Sequence, residues 1–295
     1  MKSLPLVATV LLLFLLTACG SPASGSTPPS QTSAYIQNSG SDTMVNLALA
    51  WAERYQQEHS GISLSVTGGG SGTGIAALLN KTVDIANASR QMQSVEIDQA
   101  KKNGFDPVEF VVARDAIAVI VNPSTPVSQL TMQQISDVYS GKINNWSQVG
   151  GQDRPIVRLS REVNSGTHVY FRDTVIRLGD KNYKTLFATN TLLLPSSEGI
   201  ISEVSQNPNA IGYDGLGYVP TDGTVKVIAV GRDAAGPFVI PSVQTVNDNT
   251  YPVARDLYMY TAGQPSGAVK DYLDWVVSAE AQQIVLQLGF VPIVK

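Results

Sequence analysis

Apolar residues recur along this chain in two rhythms, every second position over short runs and mixed three- and four-residue spacings over longer ones. Tyr35-Ile36-Gln37 predicts a short strand, and Thr43 to His59 carries Val45, Leu47, Leu49, Ala50, Ala52 and Tyr55 at helical spacings. Ile62 to Val66 alternates apolar residues with Ser, a strand, and a glycine run leads into a helix from Ser71 to Leu79. Val83 to Ala86 predicts a third strand, Val95 to Lys102 a polar helix, and Pro107 to Val121 two consecutive strands. Leu130 to Tyr139 predicts a helix, Ile156 to Leu159 a strand, and Ser165 to Leu178 another helix. A helix over Glu198 to Ser205, strands near Ile211 to Tyr213 and Val225 to Val230, and closing helices over 268–277 and 279–288 complete the pattern. Strand–helix alternation of this kind implies an α/β fold with mostly parallel strands.

The N-terminus follows a different pattern. Met1-Lys2-Ser3 is a short basic start, and Leu6 to Leu16 is apolar apart from Thr9. That run is too short for a mature membrane-spanning helix and reads as the core of a signal peptide, residues 1–18. Leu16-Thr17-Ala18-Cys19-Gly20 resembles a bacterial lipoprotein cleavage site, so Cys19 is expected to carry lipid. As the one cysteine of the chain it excludes an internal disulfide and a cysteine metal cluster. Residues 19–33, rich in Ser, Pro, Thr and Gly, are expected to form a tether.

Roughly 260 residues remain, enough for one large or two modest domains. Charged residues make up 15% of the chain, the formal net charge is −4, and no basic tract occurs. Nucleic acid is therefore not an expected partner, because phosphate backbones demand clustered Lys and Arg. A small anion is compatible, since a few local donors can hold it.

Two stretches look alike: Val112-Ala113-Arg114-Asp115-Ala116 and Val253-Ala254-Arg255-Asp256-Leu257. One reading is a chance tripeptide in unrelated strands. The other is a pair of antiparallel hinge strands, which divides the chain into a discontinuous first domain, 34–116 plus 254–295, and a second domain, 117–253.

Four segments place small hydroxyl residues and glycine between a strand end and a helix: Ser39 to Met44, Thr67 to Gly74, Asn87 to Arg90 and Ser160 to His168. A helix start offers unpaired N–H groups and a partial positive charge, so such segments suit an anion. Each alone is equally an ordinary N-cap. The glycine run fails the other tests of its kind. Gly74 is followed by Ile75 where a nucleotide-binding P-loop needs Lys, Thr73 stands where a dinucleotide fingerprint needs Gly, and the same Thr73 breaks a nucleophile elbow. With two distant histidines, His59 and His168, neither a zinc site nor a histidine-assisted nucleophile is expected.

Together, Gly40-Ser41-Asp42-Thr43-Met44, Thr67-Gly68-Gly69-Gly70-Ser71-Gly72-Thr73-Gly74, Asp84 to Arg90 and Arg161 to Thr167 resemble the phosphate-binding proteins of phosphate ABC transporters. The likeness runs in order from about Tyr35 to the C-terminus. It implies a two-domain, type II periplasmic binding fold closing on inorganic phosphate, no catalytic activity and no cofactor or metal. The implied partners are an ABC permease and, through the lipid, a bacterial membrane, with the protein a monomer. Carried over by position, Asp42, Thr43, Met44, Ser71, Ser89, Arg161, Ser165, Gly166 and Thr167 are the expected phosphate contacts. Some family members place an aspartate where this chain has Ser89, an acceptor for the proton of phosphate that sulfate lacks. Asp42 is the nearest candidate for that acceptor and is otherwise a helix cap. Arg90 either adds a second cation or points to solvent. Other oxyanions such as sulfate or molybdate, a phosphate sensor without transport, and a secreted phosphatase are the alternative readings.

Overall fold

The computed structural model describes residues 34–293, which form one compact unit. The expected signal peptide, Cys19 and the tether lie outside the described residues.

The strands are β1 (Ala34–Gly40), β2 (Ile62–Thr67), β3 (Ile85–Ala88), β4 (Val108–Val121), β5 (Gln129–Thr131), β6 (Val157–Arg161), β7 (Leu192–Leu194), β8 (Ala210–Gly215), β9 (Lys226–Val227), β10 (Ala229–Gly231), β11 (Phe238–Val239) and β12 (Ala254–Thr261). The helices are α1 (Val45–Glu58), α2 (Ser71–Leu79), α3 (Ser94–Lys102), α4 (Met132–Tyr139), α5 (Gly166–Phe171), α6 (Ser197–Gln206), α7 (Val243–Asn247), α8 (Gly267–Val276) and α9 (Ala279–Gln287). One sheet runs β2-β1-β3-β12-β4-β8-β6-β7, with β9 also paired to β4, and a small sheet runs β11-β10-β5. Parallel pairs β1·β2, β1·β3, β6·β7 and β6·β8 flank a central antiparallel pair, β4·β12. The α/β expectation holds but the mostly parallel sheet does not: β12 runs antiparallel to β3 and β4, and β4 to β8 and β9, between two parallel regions.

Charge fixes the register of the β4·β12 seam. Arg255 lies opposite Asp115 and Asp256 opposite Arg114, so the repeated Ala-Arg-Asp becomes two reciprocal cross-strand pairs. Sliding β12 by two residues would set a buried Arg255 against Ala113 or Ile117. The stretch 108–121, expected as two strands, is one continuous strand. Its first half pairs with β12 and its second half with β8 and β9, and its last residues are all buried. The sequence shows two segments because the partner changes, while the backbone does not break.

The apolar side chains gather in separate clusters on either side of the seam. Ile36, Leu47, Trp51, Tyr55, Val112, Ala113, Leu257 and Leu273 belong to one, with Trp51 Nε1 donating to the Ala281 carbonyl at 2.9 Å. Ala116, Val119, Ile135, Tyr139, Trp146, Phe171, Tyr213 and Val253 belong to another. The helix expected over 165–178 shortens to α5, followed by a wide π turn over Arg172–Ile176 that keeps Phe171, Val175 and Ile176 all buried. The helix expected from Leu130 starts later. Thr131 caps it by accepting from Gln134 N, and Gln134 Oε1 accepts from Thr131 N in return.

Helix α2 is seated against β1 by Gly74. A Cβ at Gly74 would sit 2.5 Å from both Gly40 Cα and the Ser39 carbonyl oxygen, backbone atoms that cannot rotate away. Gly74→Ala is expected to cost ~1–3 kcal/mol through overpacking, read as a lowered midpoint of urea unfolding. A variant as stable as the parent would show that this helix does not hold its position by backbone contact.

Candidate functional site

The C-terminal ends of β1, β3 and β6 and the start of α2 all deliver small polar residues to one place. Gly40 leads into the turn Asp42–Met44 that opens α1, Gly70 into α2, Ala88 into Ser89, and Arg161 into the loop before α5. Two walls result, one from residues 39–90 and one from residues 161–168, and they meet. Thr43 Oγ1 and Thr167 Oγ1 are 2.7 Å apart. Asn164 accepts from Gly72 N at 2.9 Å and donates through Nδ2 to the Gly69 carbonyl at 2.8 Å. Gly166 lies over Ser71 and Ser89 so closely that a Cβ there would stand 2.2 and 2.5 Å from their hydroxyl oxygens.

The polarity of these hydroxyls is set from behind. Ser71 Oγ accepts from Ser89 N at 3.0 Å, Ser165 Oγ accepts from Thr167 N and His168 N, and Thr167 Oγ1 accepts from Arg255 Nη2 at 3.0 Å. Each oxygen therefore has one lone pair occupied by a fixed N–H, which turns its proton toward the cluster, where Thr43 shares a hydrogen bond with Thr167 and Ser71 with Ser89. Thr43, Ser71, Ser89, Ser165, Gly166 and Thr167 are all buried. A cluster of buried hydroxyl donors is suited to an anion.

The charges around it are more numerous than the sequence suggested. Arg161, 1% exposed, donates to Asp42 Oδ2 at 2.9 Å, Ser197 Oγ at 2.7 Å and the Pro195 carbonyl at 2.8 Å, and stands 3.6 Å from Asp214 Oδ2. Asp42 Oδ2 also accepts from Ser197 N, so the residue clasps the second wall and is not the cap of its own helix. Arg255 donates to Asp115 Oδ2 at 2.8 Å, to the Ser89 carbonyl at 2.9 Å and to Thr167 Oγ1. It is thus the second cation of the cluster. Arg90 is not: it forms a two-pronged pair with Glu96 at 2.8 and 2.7 Å and is buried, neither a site cation nor solvent-facing. Met44 keeps its side chain in the core and donates its N–H to the Ser41 carbonyl.

His168 supports the second wall from beneath. Its Nδ1 lies 2.9 Å from the Arg161 carbonyl and 3.0 Å from Ser160 Oγ, and its ring stacks on Phe187. Burial lowers its pKa to about 4, with the Arg161 carbonyl opposing, so the ring is neutral near pH 7.

The expected residues Asp42, Thr43, Ser71, Ser89, Arg161, Ser165, Gly166 and Thr167 are thus brought to one cluster. Asp115, Asp214, Ser197 and Arg255 are additional. Only the repeated Ala-Arg-Asp, read as a paired register, could have drawn Asp115 and Arg255 in. Asp214 and Ser197 sit in segments with no charge pattern of their own.

Comparison with known proteins matches residues 25–280 to the PBP superfamily domain. The chain is 31% identical to the phosphate-binding protein PstS of Pseudomonas aeruginosa over 281 residues, covering 90% of this chain and 84% of that protein. Against PstS of Bacillus subtilis the identity is 29%, covering 86% and 79%. A crystal structure of a putative phosphate ABC transporter substrate-binding protein with bound phosphate, from Clostridium perfringens, is 30% identical with a TM-score of 0.77, covering 88% and 99%. An ABC-type phosphate transport receptor from Vibrio cholerae is 27% identical with a TM-score of 0.70, covering 88% and 100%.

The neutral His168 generates a signed stability prediction. Its folded pKa lies below the unfolded value of 6.5, so its contribution is complete above pH 6.5 and is lost as pH falls from there toward 4. The stability difference between parent and His168→Asn is expected to shrink over that window, by at most ~1.4 kcal/mol per pH unit. Urea titrations at several pH values measure it. A difference that stays constant from pH 7 to 4.5 would contradict a buried neutral imidazole.

Proposed function

The chain belongs to the PBP superfamily, among the phosphate-binding proteins of ABC transporters, and from that membership we propose how its own residues perform the capture of inorganic phosphate. The fold is the mixed α/β, two-domain periplasmic type of that family, and the function is extracytoplasmic phosphate capture for an ABC importer.

The observation that carries the reading is the convergence of directed donors. Thr43, Ser71 and Ser89 on one wall and Ser165, Gly166 and Thr167 on the other hold the anion, with Arg161 and Arg255 supplying positive charge. Hydroxyl oxygens held in place by N–H groups behind them need only exchange their mutual contacts for the ligand's oxygens when it arrives, which offsets part of the cost of stripping its water. An anion that touches both walls binds the closed form better than the open one, and its differential affinity drives closure. The hinge is the β4·β12 seam, with residues 34–116 plus 254–295 on one side and 117–253 on the other. The apolar clusters part between Ala113 and Ala116 on β4 and between Val253, just before β12, and Leu257 on it, which favours bending there. Cys19, carrying lipid after removal of residues 1–18, tethers a monomer to the membrane beside its permease. Among the described residues no helix is long and apolar enough to cross a membrane. A reading with sulfate or molybdate as ligand rests on Ser89, which does not by itself demand a proton from the anion.

Titration calorimetry of the full chain, stripped of ligand, is expected to show one phosphate per chain. Ser71→Ala and Thr167→Val each remove a hydrogen bond to a charged group, about 1.5–3 kcal/mol, or roughly 10- to 150-fold in Kd. Gly166→Ala places a methyl between Ser71 and Ser89 and is expected to weaken binding more than either. Parent-like affinity in all three variants would remove this cluster from phosphate binding. Binding of sulfate or molybdate with phosphate silent would keep the fold and replace the ligand.

A further inference from the structure

The charges buried around the cluster do not balance. Arg161 and Arg255 are its cations, and Asp42, Asp115 and Asp214 are its carboxylates, so with every group ionised the assembly carries one excess negative charge before any ligand enters. A second negative species entering such a place is opposed unless a proton accompanies it.

The three carboxylates differ in how their oxygens are occupied. Asp115 Oδ2 accepts from Arg255, and its Oδ1 accepts from Leu216 N at 3.1 Å. Asp42 Oδ2 accepts from Arg161 and Ser197 N, and the side chain is partly exposed to water. Asp214 is fully buried at the end of β8. Its Oδ1 accepts from Gly215 N at 2.7 Å and Ser197 Oγ at 3.0 Å, whereas its Oδ2 has no hydrogen-bond partner. It is the one carboxylate oxygen left so among the buried side-chain atoms described. The next residue, Gly215, abuts the site itself: a Cβ there would lie 2.9 Å from Thr43 Cγ2 and 2.8 Å from Asp115 Oδ2.

We propose that Asp214 is the proton acceptor of this binding site: its free Oδ2 takes up a proton when phosphate binds, so that capture of the anion is coupled to protonation of the protein. The proton comes from solvent, no bond but Oδ2–H forms, and the uptake cancels the excess charge that would otherwise repel the ligand. The groups facing Asp214 agree. Arg161 from β6 is the near cation, with Arg255 from β12 beyond it. Asp42 ahead of α1 shares Arg161 with it, Asp115 on β4 abuts the adjoining Gly215, and Tyr213 and Tyr218 are neutral phenols held well above their ordinary pKa by burial, with Glu198 on α6 acting on Tyr218. Without ligand, burial raises the Asp214 carboxyl to about 6, opposed first by Arg161. Phosphate beside Arg161 weakens that opposition and adds negative charge, both of which raise the group further.

The inference rests on the phosphate reading, and one experiment separates the two. Phosphate is titrated into the full chain at pH 7.5 in two buffers of different ionisation enthalpy, which yields the protons taken up per phosphate bound. The Asp214→Asn variant is expected to take up fewer by about one proton per phosphate, and its affinity is expected to vary less steeply with pH. An infrared difference spectrum of the parent protein is expected to show a protonated carboxyl stretch appearing with phosphate and missing in Asp214→Asn. Equal proton counts in the two proteins overturn the proposal. If the variant does not fold, a parent spectrum with no such band overturns it. Absence of phosphate binding by the parent would instead remove the reading beneath it.

Discussion

The ion pair between Asp115 and Arg255 is the constraint on which the rest of the structure depends. Both side chains are about fully buried, and both lie on the antiparallel seam that joins the two parallel regions of the sheet. A buried pair is poor evidence of net stability, because desolvation offsets most of its attraction, yet removing one partner typically costs about 3–5 kcal/mol. Its value here is positional. The same guanidinium that fixes the β4·β12 register donates to the Ser89 carbonyl on one wall and to Thr167 Oγ1 on the other. Register, wall spacing and the direction of the Thr167 hydroxyl thus follow from one side chain.

The site works through donors that are aimed before the ligand comes. Ser71, Ser165 and Thr167 each accept from an N–H behind the cluster, so the chain gives up hydrogen-bond flexibility during folding and not during binding. Small size is as necessary as polarity. Gly166 has no room for a methyl between Ser71 and Ser89, which lets backbone and hydroxyls share the same few ångströms. The acidic groups beside Arg161 give the assembly its dependence on protons, and they are the feature that distinguishes it from a simple basic anion hole.

Much of this was legible in the sequence because it is local. Helix α2 begins and ends where the glycine run and apolar spacing place it, and the four strand-end segments converge as their order suggests. What was not legible depends on pairing between distant segments. The role of Arg255 requires knowing that β12 runs antiparallel to β4 in the register that opposes it to Asp115. Asp214 reads as one polar residue in a glycine-rich strand, and only its distance from Arg161 and its unpaired oxygen reveal it. Arg90 illustrates the converse: its neighbour Ser89 joins the cluster, while Glu96, six residues on, draws its guanidinium elsewhere.

The most direct measurement is a crystal structure of the protein grown with phosphate. A single tetrahedral anion is expected to touch Thr43, Ser71 and Ser89 from one wall and Arg161 with Ser165 to Thr167 from the other, with Arg255 still bridging Asp115 and Thr167. An anion held by one wall alone, or bound away from these residues, would contradict it.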